Sequence, residues 1–225
     1  MLLERSEVAA QNMAMPARQS VALLVAHPDD ETLWAGGTLL TESSWSTFVG
    51  CACRANDADR APKFRRVLQK LQAKGAMADL DDGPEQRPLA DDLVEQSLLD
   101  CLPDRHFDRI LTHSPHGEYT RHVRHEEVAR AVLRLWLRGV LSASELWLFA
   151  YDDQGGTRLP RASDDADIVR ELSSEVWARK HRLITHDYGF AEASWEARVT
   201  PHSEAFFRLE TPEHAQSLLE SRQNP

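Results

Sequence analysis

A single-domain α/β fold, with a mostly parallel, Rossmann-like sheet flanked by helices, is predicted by three observations. Short apolar runs alternate with longer segments of helical period, the pattern of successive βαβ units. The most apolar run, Val21-Ala22-Leu23-Leu24-Val25, is halted at Pro28 and reads as a buried strand. The 225 residues suffice for one sizeable core, and no repeat, low-complexity tract or long linker divides them.

Taken in order, strands are expected near 21–26 (VALLVA), 47–53 (TFVGCAC), 107–112 (FDRILT) and 145–150 (ELWLFA), with a weaker one near 76–80. Helices fit at about 31–43, 60–74, 89–101, 121–138 and 165–185. The last of these rests on Ile168, Val169, Leu172, Val176, Leu183 and Ile184 spread along it. The stretches 54–60 and 152–165 carry the least pattern. Residues 1–19 read as an N-terminal extension, 20–210 as the domain and 211–225 as a C-terminal helix or tail.

Composition excludes some partners. The formal net charge is -10 and the arginines are scattered among acids. Neither nucleic acid nor an anionic lipid surface is therefore expected to be held electrostatically. Cys51, Cys53 and Cys101 show no paired ligand spacing and read as small core residues in a reducing compartment. The segment MLLERSEVAAQNMAMPARQS has no apolar core of a signal peptide, and no run approaches the ~18 apolar residues of a membrane span. A cytoplasmic protein without an integral membrane segment is expected.

Directly behind the first strand stands His27-Pro28-Asp29-Asp30-Glu31. Helix capping accounts for the acids: Asp29 can cap the next helix, with Asp30 and Glu31 in its first turn. It gives no reason for His27. A metal site does, because His27 and Asp30 leave one tight turn close enough to share an ion. In such sheets ligands bind outside the carboxyl ends of the strands. A second polar cluster, THSPHGEYTRHVRHEE at 112–127, follows the 107–112 strand and opens onto the same rim, carrying His113, His116, His122 and His125. His122 and His125 are three apart, on one face if helical. His27, Asp30 and one of His122 or His125 would supply the three nitrogen and oxygen ligands that catalytic zinc requires. Other α/β chemistries fit poorly. Gly36-Gly37 belongs to neither G-x-G-x-x-G nor G-x-x-x-x-G-K-[ST], and no G-x-S-x-G elbow occurs. The glycine pair is expected instead to let the helix approach the sheet.

Two motifs, AHPDDE at 26–31 and PHGEYTRHVRHEEV at 115–128, resemble those of the PIG-L/LmbE-like zinc-dependent de-N-acetylases. The likeness runs from about 20 to 210, with KFRRVLQKLQAKGAMADLDDG at the family's second helix and EAFFRLE near its usual end. It implies a Rossmann-like hydrolase removing an acetyl group from an N-acetylglucosamine-like sugar or glycoside with one zinc ion. It further implies His27, Asp30 and His125 as metal ligands, Asp29 as general base, and His122 as a partner of Asp29 or of the charged transition state. By the same resemblance Arg60 would hold the sugar and Tyr119 would reach the oxyanion; Glu31, with no part in the chemistry, is expected to be only a helix cap, and replacement of His113 or His116 is not expected to release the ion. Where the family often reads Gly-Tyr-Gly-His-Pro-Asp-His, this chain has an extra residue in Tyr119-Thr120-Arg121-His122, and Val123-Arg124 replaces Pro-Asp. The alternatives are a ligand-binding protein on the same fold and an amidase for a non-sugar amide.

Overall fold

The computed structural model describes residues 18–119 and 122–220. Most of the N-terminal extension, Thr120 and Arg121 of the second motif, and residues 221–225 lie outside the described residues. Strands β1 (Gln19–Val25), β2 (Trp45–Cys53), β3 (Lys74–Leu80), β4 (His106–Thr112) and β5 (Ser142–Phe149) form a parallel sheet in the order β3-β2-β1-β4-β5. Val21 to Val25 are fully buried because helices cover both faces of this central strand. Helices α1 (Asp30–Thr41) and α2 (Arg60–Lys70) cover one face through Leu33, Trp34, Phe64, Val67 and Leu68. Helices α3 (Asp91–Cys101) and α4 (Val123–Leu137) cover the other through Val94, Leu98, Val128, Val132 and Trp136. Each such side chain, once buried, stabilises the fold by roughly 1.5–3 kcal/mol before entropy is counted.

The expected helix over 165–185 is a correction. Residues Ile168–Glu171 form β8, following the two-residue strands β6 (Tyr151–Asp152) and β7 (Arg161–Ala162). β8 pairs antiparallel with β9 (Ser203–Leu209), and β9 in turn pairs antiparallel with β5. The EAFFRLE segment is thus a strand that extends the sheet. Burial along β8 alternates residue by residue, the period of a strand at a sheet edge. Helix α5 (Ser174–Arg182) starts only after Ser173, whose hydroxyl accepts the Val176 N–H at 3.3 Å. Beyond it lie a π-helical turn (Leu183–Asp187), α6 (Trp195–Val199) and α7 (Pro212–Glu220), the last seated on α4 and β9 through buried Ala215. No helix among the described residues is long and apolar enough to cross a membrane.

Strand order turns around between β1 and β4, whose outgoing connections run to opposite sides of the sheet. A crevice opens at such a point beyond the carboxyl ends of the strands. His27 to Asp30 follow β1, Arg54 follows β2, Asp82 follows β3 and His113 follows β4.

Candidate metal centre and catalytic pocket

The turn after β1 is fixed by its own polar atoms. The His27 N–H donates to Asp30 Oδ2 at 2.8 Å and the Asp30 N–H to the His27 carbonyl at 3.3 Å. Asp29 occupies the N-cap position of α1, yet its side chain makes no capping bond, and its φ is +128°, a region that non-glycine residues rarely occupy. Capping therefore does not account for its carboxylate. Nor is Glu31 an exposed cap: it is fully buried and accepts from the Asp29 N–H (3.0 Å), Thr32 Oγ1 (2.5 Å) and Tyr188 Oη (2.7 Å).

Three donor atoms converge on one point. His27 Nδ1 lies 3.1 Å from His125 Nε2 and 3.3 Å from Asp30 Oδ2, and His125 Nε2 lies 3.4 Å from Asp30 Oδ2. Their far sides are fixed by carboxylates. His125 Nδ1 is 2.7 Å from Glu118 Oε2, and His27 Nε2 is 3.1 Å from Asp82 Oδ1. A carboxylate only accepts, so those ring nitrogens carry the protons, and in the neutral rings Nδ1 of His27 and Nε2 of His125 present lone pairs to each other. A tetrahedral ion with bonds of about 2.0–2.1 Å spaces its ligands by roughly 3.3–3.4 Å, so the triangle fits a zinc-sized cation. Carboxylates in such outer positions are the usual partners of histidines that hold a metal ion. Electrostatics favour positive charge here: burial alone would lower the His27 pKa, but Asp30 and Asp82 outweigh it and raise it to about 10, so without a metal the His27 ring carries the extra proton that a bound cation would replace. The same centre holds Asp30 well below the usual carboxylate range against its burial, through His125, His113 and His27.

His113 lies inside this cluster, its ring stacked on His125 at 3.9 Å. Its Nε2 accepts the Ala26 N–H at 3.0 Å and its Nδ1 stands 3.2 Å from Glu118 Oε2, so its lone pair is already used. It acts as a buttress between β1, His125 and Glu118. Helix α4 begins one residue after His122, which is an extended N-cap and not the first helical residue. Its ring still packs on His125 (4.5 Å) and His27 (4.6 Å), and its buried Nδ1 has no hydrogen-bond partner among the described residues. Burial first, then His125 and His27, lower the His122 pKa to about 3. No hydrogen bond joins it to Asp29 among the described residues.

These groups border a cavity of about 320 Å³ lined by Asp29, Arg60, Tyr119, His122, Trp195 and Glu196, among others. Burial and the neighbouring Asp30 carboxylate push the Asp29 pKa well above its ordinary value, against the pull of Arg60. The Arg60 guanidinium stands 3.6 Å from Asp29 Oδ2 and 4.4 Å from the Phe190 ring centre. Tyr119 packs on Trp195 at 4.6 Å, and burial keeps its phenol protonated. Of the seven residues to which the resemblance gives a role, six line this cavity and His125 lies buried beside it, against His27 and His122.

Glu118, Asp82 and Arg124 are additions. Glu118 is carried by the loop after β4, where Gly117 adopts φ +78°, and its other oxygen accepts the Ser114 N–H. Arg124, which stands where the motif it resembles often has an acidic residue, is buried and bonds to the carbonyls of Asp81 and Arg87 and to Glu127. It thereby pins the loop that brings Asp82 to His27. The signal for Asp82 was its place directly after a strand on the ligand-binding rim; Glu118 had none beyond proximity to four histidines.

No family model matches the sequence, and no curated protein matches it. Solved structures do. The N,N'-diacetylchitobiose deacetylase from Pyrococcus horikoshii is similar over 85% of this chain and 84% of that one, with a TM-score of 0.64 and 15% identity. The antimicrobial reagent A40926 pseudoaglycone deacetylase is similar over 86% and 98%, at 0.56 and 13%. A 4-carboxy-2-hydroxymuconate hydratase from Pseudomonas putida is similar over 85% and 96%, at 0.57 and 16%. One fold thus carries more than one reaction, and chemistry has to be argued from the site. The chain has the fold of the LmbE/PIG-L-type deacetylases, the family that its two motifs resemble.

Proposed function

We propose that the chain is a metal-dependent hydrolase that removes an acetyl or other acyl group from the amide nitrogen of an N-acetylglucosamine-like sugar or glycoside. The observation that carries this reading is the convergence of His27 Nδ1, Asp30 Oδ2 and His125 Nε2 beside a cavity that contains an unligated carboxylate. Those three residues would hold one divalent ion, zinc by the nitrogen and carboxylate character of the donors. Bound there, such an ion supplies Lewis acidity, which polarises a carbonyl and lowers the pKa of water to about 7. Asp29, with its raised proton affinity, takes the proton of the attacking water and delivers it to the amide nitrogen as the C–N bond breaks, leaving a carboxylate product and a free amine. The Tyr119 hydroxyl and the His122 ring, which border the same cavity, are the donors for the developing oxyanion. Arg60, braced by Phe190, and the face of Trp195 hold the sugar ring, with half-buried Glu196 as an acceptor for its hydroxyls.

Zinc-loaded protein incubated with N-acetylglucosamine, its simple glycosides and a set of non-sugar amides tests the reading. Release of acetate and amine from the sugars supports it. Hydrolysis of the non-sugar amides alone would reassign the substrate class, and no hydrolysis of any member would favour a ligand-binding protein on this fold.

A further inference from the structure

The strained backbone of Asp29 needs a cause. A residue with a side chain persists at positive φ only where its surroundings hold it there. The Asp29 carbonyl accepts the N–H groups of Thr32 and Leu33, at 2.9 and 2.8 Å, which fixes the side of its peptide that faces α1. Its own N–H is fixed by Glu31 Oε2 at 3.0 Å. A carboxyl group is costly to bury without partners, and Glu31 is fully buried, so its acceptors must be served from within the protein. Thr32 serves one by a short local bond, and Tyr188 serves the same oxygen, Oε1, from a remote segment.

That segment follows the π-helical turn Leu183–Asp187, and single π turns are frequent at functional sites. This wider turn, closed by the Tyr188 N–H on the Leu183 carbonyl at 2.9 Å, precedes two aromatic residues that serve Asp29 by different routes. Tyr188, buried against the core, reaches the Asp29 backbone through Glu31. Phe190 lies beneath Arg60, which reaches the Asp29 side chain. We propose that Glu31 and Tyr188 are positioning residues that hold Asp29 in its positive-φ conformation, so that its carboxylate faces the cavity while Asp30 faces the cluster of histidines. The consequence for turnover rests on the hydrolase reading above; the conformational claim does not.

The test combines crystal structures with kinetics on Glu31→Ala, Glu31→Gln and Tyr188→Phe in the full chain. In Glu31→Ala the Asp29 φ should leave the positive region, and kcat should fall about 10²-fold, the cost of a small misplacement of a reacting group. KM should stay within about threefold and metal content should be unchanged. Glu31→Gln keeps a carbonyl acceptor for the Asp29 N–H and should restore both the positive φ and most of kcat. Tyr188→Phe should give a smaller loss in kcat, about 10-fold, again with KM and metal retained. A positive Asp29 φ in Glu31→Ala, or a Gln variant as impaired as the Ala variant, would overturn the proposal. Should Glu31→Ala fail to fold, the same φ and the kcat of Tyr188→Phe decide, with wild-type values counting against it. If the wild-type protein hydrolyses nothing, the crystallographic comparison still judges the proposal while the hydrolase reading fails alone.

Discussion

Helix α1 touches two buried clusters of ionisable groups, and they are built on opposite principles. Midway along the helix, fully buried Glu204 of β9 accepts from Lys180 Nζ (2.7 Å), the Gly37 N–H (2.6 Å) and the Thr38 N–H (2.6 Å). One anion meets one cation and two further donors, so the cluster is closed. At the N-terminus of the helix, two imidazole nitrogens and a carboxylate oxygen face one another, and with the rings neutral all three are acceptors. That cluster is complete only with a cation. The difference teaches that burial of charge alone does not mark a functional centre; the balance of donors and acceptors does.

The largest expected effect belongs to the closed cluster. Glu204→Ala leaves Lys180 buried without its partner and should cost about 3–5 kcal/mol of stability in urea denaturation. Metal affinity of the folded fraction should not change. At the open cluster the signs reverse. Asp29→Asn should retain metal and lose at least about 10²-fold in turnover, because the amide cannot accept a proton. Asp30→Asn should instead weaken metal binding, since a neutral amide is a poorer ligand. Elemental analysis beside steady-state kinetics separates the two, and an exchange of their phenotypes would mean that their roles are exchanged. Glu118→Gln comes next: it weakens the partner that orients His125 and should lower zinc affinity about 10- to 100-fold in a competition titration with a chelator. Smallest is His116→Ala. This exposed residue lies outside the convergent triangle, so zinc stoichiometry and affinity should match the unaltered protein.

The contrast between the clusters also explains what could be read in the sequence. β1, β2, β4 and β5 were legible because their buried carboxyl-terminal halves leave short apolar runs, and His27, Asp29 and Asp30 were placed because they follow the most apolar of them. β8 was not, because Ile168, Val169 and Leu172 also suit a helix and the pairing with β9 is a tertiary fact. The glycine pair was expected to permit close approach, and a Cβ on Gly37 would stand 2.4 Å from Leu172 Cδ2. What it approaches, the carboxylate of Glu204, is 167 residues away in the chain and carries no local signal. Asp82 was marked only by its place after a strand and Glu118 only by its nearness to the histidines, because each acts through a histidine that the fold brings to it. Glu31 was legible as a residue of the first turn but not as a buried acceptor, since its partner Tyr188 follows a π turn that leaves no mark in the hydrophobic period.

The central claim is that the open cluster is a binding site for one divalent cation. Crystals of zinc-loaded protein, examined by anomalous diffraction at the zinc edge together with elemental analysis of the same preparation, test it most directly. The account predicts about one zinc per chain, with the anomalous peak about 2.0–2.2 Å from His27 Nδ1, Asp30 Oδ2 and His125 Nε2, and no peak there in His125→Ala. Zinc-loaded protein with no metal by elemental analysis, or a single peak elsewhere in the molecule with this triangle empty, would contradict it.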